Sequence, residues 1–261
     1  MAEKTPIIVI DAGHGGSDSG AVYKGRKEKD DNLKLALTVG RMLSAEYIVK
    51  VGYTRTTDVF EAPSAKAKEA NAFDADLFAS FHRNSAVPTA HGNETLVYKM
   101  SGPAYLLAVN ANKKIATLGF RDRGVKKRTD LTVLKSTGMP AVLFETGFIS
   151  NKEDNKLFDA KFDEIVNAYV LAIAEEMNLK KKPIPKKKEF KNGDYNNKVR
   201  TTSNLNVRAG RGTDYKILGT LPKGTIVKAL YILTKDGTPW ASIDYGKTVG
   251  YISLKYAEPA E

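Results

Sequence analysis

Ile7-Ile8-Val9-Ile10-Asp11-Ala12-Gly13-His14-Gly15-Gly16 is the stretch that decides the fold. Four apolar, β-branched residues in a row read as a buried strand, and the glycines break it at once. His14 sits at the break. In an open α/β sheet, ligands bind outside the carboxyl ends of the strands. The chain has three histidines, His14, His82 and His91, and His82 follows a second apolar run, Leu77-Phe78-Ala79-Ser80-Phe81. Two strand ends with a histidine each point to a shared metal site.

Outward from that strand, 13–25 reads as a loop holding Ser17, Asp18 and Ser19. From Asp30 the pattern turns helical, with Leu33, Leu37, Gly40 and Leu43 recurring at helical spacing and Ala36 beside them. Val49, Val51 and Tyr53 alternate as a second strand. An Ala-rich, charged helix over 62–73 packs Ala65 or Ala70, 77–81 is a third strand and 94–98 a fourth. Pro103 opens a helix to about Thr117, at a position where its missing N–H costs little. The basic, aperiodic stretch 121–135 predicts a long loop with a short strand around Val133. Ala141-Val142-Leu143-Phe144 is a buried strand ended by Glu145. Asn151 caps a short acidic helix, and Phe162, Ile165, Tyr169, Ile173 and Met177 draw an apolar stripe along a last long one. Strands alternating with helices predict an α/β domain over 1–178, a mostly parallel sheet with helices on both faces.

Composition then shifts. Lys180-Lys181-Lys182-Pro183-Ile184-Pro185-Lys186-Lys187-Lys188 has no periodicity, so 179–198 reads as a basic linker stiffened by proline and self-repulsion. From Asn204 onward, short apolar runs separated by Gly, Pro and Asp predict a small all-β barrel within 199–261.

With 42% hydrophobic residues among 261, the chain can bury a proper core. It has no cysteine, which excludes disulfides and thiolate metal sites and leaves His, Asp and Glu as ligands. Met1-Ala2-Glu3-Lys4-Thr5-Pro6 leads into one short strand, and no run is long enough to span a membrane. The expectation is a chain made without a signal peptide and held in the cytoplasm; if its substrate lies outside, another agent must let it through. The formal charge of +11 suits nucleic acid, an anionic surface or an anionic wall polymer. The lysines cluster in the linker rather than on a folded face interleaved with aromatics, which argues against nucleic acid.

A hydrolytic zinc site takes three protein ligands and keeps one position open, His₂Glu being a known set. Glu28, ahead of the first core helix, is within reach of the loop carrying His14. Glu145, ending a buried strand, is costly there unless paired, metal-bound or solvated in a cleft. The residues also admit plainer readings: His14 capping a turn, Glu28 favoured by a helix dipole, Glu145 paired with a lysine.

Four ordered motifs resemble those of the zinc-dependent N-acetylmuramoyl-L-alanine amidases found in bacterial autolysins and phage endolysins. They are Asp11-Ala12-Gly13-His14-Gly15-Gly16, Glu28-Lys29-Asp30-Asp31-Asn32-Leu33, Ala75-Asp76-Leu77-Phe78-Ala79-Ser80-Phe81-His82-Arg83-Asn84, and Pro140-Ala141-Val142-Leu143-Phe144-Glu145-Thr146-Gly147-Phe148-Ile149-Ser150-Asn151. The resemblance covers about 7–177, and it implies that His14, Glu28 and His82 bind Zn²⁺ and that Glu145 is the catalytic residue. Arg121-Asp122-Arg123-Gly124-Val125 is similar to the family's Arg-Gly stretch. Two residues depart from the usual pattern: Phe81 changes volume on the buried side, and Arg83 puts a cation beside the site, where it meets a substrate carboxylate or faces solvent. His91 takes no family role and reads as a surface residue. Farther on, Asn204-Leu205-Asn206-Val207-Arg208-Ala209-Gly210, Gly224-Thr225-Ile226-Val227, Trp240 and Gly250-Tyr251-Ile252 resemble a bacterial SH3-type wall-targeting module over about 199–257, with Trp240 and Tyr251 either core or binding platform.

What this implies is a zinc amidase cutting the bond between N-acetylmuramic acid and L-alanine of peptidoglycan, held on the wall by linker and barrel. The expected setting is a phage endolysin, a monomer that neither binds nucleic acid nor inserts in the membrane and is released by a pore-forming partner. A bacterial autolysin of the same activity, a zinc peptidase cutting inside the stem peptide and a non-enzymatic wall-binding protein are the alternatives.

Overall fold

The computed structural model describes residues 4–183 and 190–260. The chain divides into two compact units, one ending at Lys182 and one beginning at Pro183. Among the described residues, no helix is long and apolar enough to cross a membrane.

In the first unit the decisive run forms β1 (Ile7–Ala12). A two-residue hairpin, β2 (Val22–Tyr23) and β3 (Arg26–Lys27), leads into α1 (Glu28–Glu46), then β4 (Lys50–Tyr53), α2 (Pro63–Ala72), β5 (Leu77–Asn84), β6 (Asn93–Val97) and α3 (Gly102–Ala116). β7 (Asp122–Lys127), α4 (Thr132–Lys135), β8 (Ala141–Phe148), α5 (Lys152–Ala160) and α6 (Phe162–Glu176) complete it. The main sheet runs β4-β1-β5-β8-β6-β7, parallel throughout except for β6 against β8.

Helices cover both faces. Leu35, Val39 and Leu43 of α1, Leu107 and Ile115 of α3 and Ile165, Tyr169 and Ile173 of α6 pack with Ile8, Ile10, Phe81 and Phe144 on one side. Ala70 of α2 and Val133 and Leu134 of α4 pack with Val9, Phe78 and Leu143 on the other. From β1 the chain crosses to β4 on one flank and then to β5 on the opposite flank, so the carboxyl ends of β1 and β5 border a crevice of the kind where ligands settle.

Several local expectations change. α1 starts at Glu28, with Glu28, Asp30 and Asp31 all in its first turn, where the helix dipole favours carboxylates. Glu145 does not end its strand: β8 continues to Phe148. The stretch 121–135 holds the edge strand β7, and Val133 lies in the single turn α4 rather than in a strand. An edge strand with Lys126 and Lys127 exposed carries no alternating apolar signal, which is why it reads as a loop. Phe81 fits the core outright, its ring 5.3 Å from those of both Phe144 and Tyr169.

The predicted linker is not one segment. Lys180 and Lys182 exchange backbone hydrogen bonds with Ile48 and Glu46, and Lys181 bridges Tyr47. Residues 184–189 lie outside the described ones. Gly193 to Lys198 already belong to β9 (Gly193–Thr201), the first strand of the second unit. That unit continues through β10 (Leu205–Arg208), β11 (Ile217–Leu221), β12 (Ile226–Lys235), β13 (Thr238–Tyr245), β14 (Thr248–Ser253) and β15 (Ala257–Pro259). Its order is β11-β10-β14-β13-β12-β9-β15, all antiparallel, around a core that includes Val199, Val207, Ile232, Ile243 and Ile252. Trp240 is buried, whereas Tyr251 is half-buried under the guanidinium of Arg211 at 4.7 Å.

Candidate metal centre and active site

The site is built from the ends of β1 and β5 and the first turn of α1. His14 follows β1 at φ 60°, in the left-handed region that costs an ordinary residue about 1–2 kcal/mol. Strain of this kind collects where a side chain must be aimed. Glycine is required at position 13, because a Cβ there would lie 2.1 Å from Cε1 of His82.

Glu28 stands between the two imidazoles. Its Oε2 lies 3.2 Å from His14 Nε2 and its Oε1 2.9 Å from His82 Nδ1. One ligand atom from each of the three residues lies within 4.8 Å of the others, a cluster able to hold one metal ion. Three further N–H groups fix the carboxylate: Ala21 N donates to Oε2, and Asn32 Nδ2 and Arg83 N donate to Oε1. Behind His14, Nδ1 faces Asp18 Oδ2 at 2.8 Å. A carboxylate on the far nitrogen of a histidine is the usual way of orienting a metal-binding imidazole. The donor set therefore fits zinc: two neutral nitrogens and one carboxylate, with the outer partner already in place.

Charge follows from this packing. Burial opposes the charged form of Glu28, yet hydrogen bonds and charge from His14 and His82 hold it far below the ordinary carboxylate range. Burial likewise opposes a charged His14, but Glu28 and Asp18 overcome it and push its pKa up to about 9.

Glu145 is the register partner of His82 across β5 and β8. Burial pushes its pKa up to about 7; the charge of His82 pulls the other way, and Glu28 and Glu94 add to the rise. Its Oε2 is buried with no hydrogen-bond partner among the described residues. A buried unpaired carboxylate oxygen is costly, and no lysine or arginine forms an ion pair with Glu145 among the described residues.

Arg83 is neither a substrate contact nor a solvent-facing cation. It is 2% exposed and donates to Asp31, Asn155 and the Gly147 carbonyl, with its guanidinium 4.1 Å over the Phe158 ring. Its side chain ties β5 to α1 and α5 from the interior. His91 is exposed, and its carbonyl accepts from Arg123.

Other contributors carried no clear sequence signal. Buried Arg55 donates to the carbonyls of Ala12, Gly13, Thr57 and Lys29, bracing the glycine loop. Lys66, on the Ala-rich helix, pairs with buried Asp11 at 2.8 Å and also donates to the Ala12 carbonyl. Asp11, a carboxylate inside an apolar run, is the one visible hint that a buried cation must meet it.

Comparison with known proteins agrees with the geometry. Residues 8–175 match the N-acetylmuramoyl-L-alanine amidase family, and 203–258 match the bacterial SH3 domain. The chain is 41% identical over 195 residues to the endolysin of Bacillus phage SPP1, covering 70% of this chain and 71% of that protein. It is 36% identical over 180 residues to a sporulation-specific N-acetylmuramoyl-L-alanine amidase of Bacillus subtilis, covering 67% and 69%. Among solved structures, the catalytic domain of the amidase CwlV from Paenibacillus polymyxa superposes with a TM-score of 0.63 at 34% identity, covering 67% of this chain and all of that one. With the histidine-glutamate cluster at the crevice and this family match over most of the chain, the protein belongs to the N-acetylmuramoyl-L-alanine amidases and carries a bacterial SH3 domain behind the catalytic one.

Proposed function

We propose that this amidase is a zinc hydrolase in which His14, Glu28 and His82 hold the metal and Glu145 moves the proton, working as an endolysin on bacterial peptidoglycan. The observation that carries the reading is one arrangement: three ligand atoms within 4.8 Å of one another, beside a carboxylate with a buried, unpartnered oxygen.

Zinc held there supplies Lewis-acid polarisation of the scissile carbonyl and acidifies water. The chain's own residues do the rest. Glu28, braced by three N–H donors, and His14, backed by Asp18, keep their donor atoms fixed without reorganisation. With a pKa near neutrality, Glu145 can accept a proton as water attacks and return it to the nitrogen of the departing alanine, which is the task of an acid–base residue.

The basic stretch after α6 and the SH3 domain serve to hold the enzyme on an anionic wall, an attraction that weakens with salt where charge dominates. In this reading the protein waits as a monomer in the cytoplasm until a pore-forming partner releases it to the wall, with no part for nucleic acid or membrane insertion. The phage endolysin among its relatives supports that setting.

The test is digestion of purified peptidoglycan with chelator, with added zinc and untreated, following new amino termini against new reducing sugar ends. Chelator-sensitive release of N-terminal alanine with no reducing ends is expected. Any other amino terminus moves the cut into the stem peptide and overturns the bond assignment. Activity that survives complete chelation overturns the metal.

A further inference from the structure

The row of side chains that pairs His82 with Glu145 continues across the sheet toward its edge. His82 on β5, Glu145 on β8 and Glu94 on β6 are register partners, so the three side chains lie in one row on the same face. Arg123 on β7 closes the row, its Nε donating to Glu94 Oε2 at 2.8 Å. The other oxygen of Glu94 accepts from Asn84 Nδ2 at 2.9 Å. Arg123 is thus held from several sides: Glu94 at Nε, the Phe148 ring 4.9 Å from its guanidinium, and the His91 carbonyl 3.5 Å from Nη1. Among the described residues its Nη2 has no partner, and the side chain stays 31% exposed. The result is an oriented, half-exposed cation with a donor to spare, at the far end of a row that begins at the metal ligands. Amide hydrolysis at Glu145 needs no cation there.

We infer that Arg123 reads the stem peptide by pairing with the carboxylate borne on its second residue, so that a stem with that carboxylate free is preferred over one with it amidated. This rests on the amidase reading above. Strands lie about 4.7–4.9 Å apart, which puts β7 roughly 10 Å from β8, and Glu94 draws the guanidinium back over β6. An extended peptide advances about 3.3–3.6 Å per residue, so a group on the second residue lies about 7 Å from the scissile bond, within that span. A guanidinium fork suits a planar carboxylate, and the pair is charge-assisted. A carboxamide of the same shape loses the charge and turns an N–H₂ toward the same donors. Arg128, just past the end of β7, is already engaged by Asp130 through two hydrogen bonds.

The experiment uses the full-length, zinc-loaded protein and two soluble muropeptides that differ only in carrying a carboxylate or a carboxamide on the second stem residue. Wild type is expected to favour the carboxylate by about tenfold or more in kcat/KM, mostly through KM, the scale of one charge-assisted hydrogen bond. Arg123→Gln is expected to erase that preference by losing rate on the carboxylate substrate alone. Arg123→Lys, which keeps a charge beside Glu94, should retain part of it and provides the same readout if the glutamine variant folds poorly. An equal loss on both substrates, with the preference intact, would mean that Arg123 only steadies Glu94, and the inference falls. It also falls if wild type does not discriminate. If wild type cuts neither muropeptide while the protein remains folded and zinc-loaded, the amidase reading fails first and takes this one with it.

Discussion

His82 and Glu145 face each other in register across β5 and β8, and only the histidine is satisfied: its Nδ1 meets Glu28 at 2.9 Å, while Oε2 of Glu145 is buried without a partner. The sheet thus sets the proposed metal ligand and the proposed proton carrier side by side and gives them opposite environments. One is tied to Glu28, the other buried with an oxygen that no described group engages.

Glu145→Gln removes the proposed proton carrier and keeps the shape. Zinc content should stay at one per chain while turnover on peptidoglycan falls by roughly 10²–10⁴, the usual share of general acid–base catalysis. Metal analysis beside a wall-clearing assay reads both quantities, and an active variant would remove Glu145 from the reaction. Because its pKa is pushed up to about 7, wild-type kcat/KM should fall as pH drops through neutrality, where the base becomes protonated.

His82→Ala should lose zinc altogether. Asp18→Ala acts one step removed, through His14 Nδ1, and should weaken zinc about 10–100-fold without abolishing it. Competition against a chelator of known affinity separates the two outcomes. Full zinc binding by His82→Ala would break the ligand assignment.

Without metal, His14 holds its proton up to about pH 9, against burial, because Glu28 and Asp18 bond and attract the charged ring. A metal ligand must give that proton up. Zinc binding near pH 7 should therefore release about one proton from His14, and affinity should rise with pH up to about 9. Titration calorimetry in two buffers of different ionisation enthalpy counts the protons. No release would mean that His14 stays charged and does not bind the ion.

Lys66 and Asp11 form a buried pair beneath the glycine loop. Lys66→Met leaves the carboxylate uncompensated and should cost roughly 3–5 kcal/mol, read from denaturant unfolding. Burial opposes a charged Asp11, but Lys66, Ser80 and Thr54 hold its pKa below the ordinary 3.8. Its contribution is thus fully present above that value and lost as pH falls through the lower, folded-state pKa. Unfolding midpoints that are equal in wild type and variant near neutrality would show that the pair stabilises nothing.

The first unit's layer order was legible because its central strands are buried on both faces and read as apolar runs, as Ile7-Ile8-Val9-Ile10 does. That His14, Glu28 and His82 come together was legible for a related reason: a histidine or carboxylate beside such runs needs a partner, and these three are one another's. What stayed hidden is what depends on the far side of a contact. Arg83 read as a cation meeting substrate or solvent because nothing local reveals that Phe158, Asp31 and Asn155 close around it. β7 looked like a loop because, among the described residues, its outer edge has no strand beside it and its lysines face solvent. Lys66 carried no signal of its own on a charged helix; only the fold brings Asp11 within 2.8 Å.

The way the chain leaves the first unit has a practical consequence. Leu179 packs against the core, and Lys180 to Lys182 run hydrogen-bonded along Glu46 to Ile48. Anyone exchanging the wall-binding module of this enzyme for another should therefore splice after Lys182. A junction at Asn178, where helix periodicity fades, would strip an edge segment from the catalytic domain and leave the backbone beside β4 exposed to other chains. Such a chimera would aggregate for reasons unrelated to its new target.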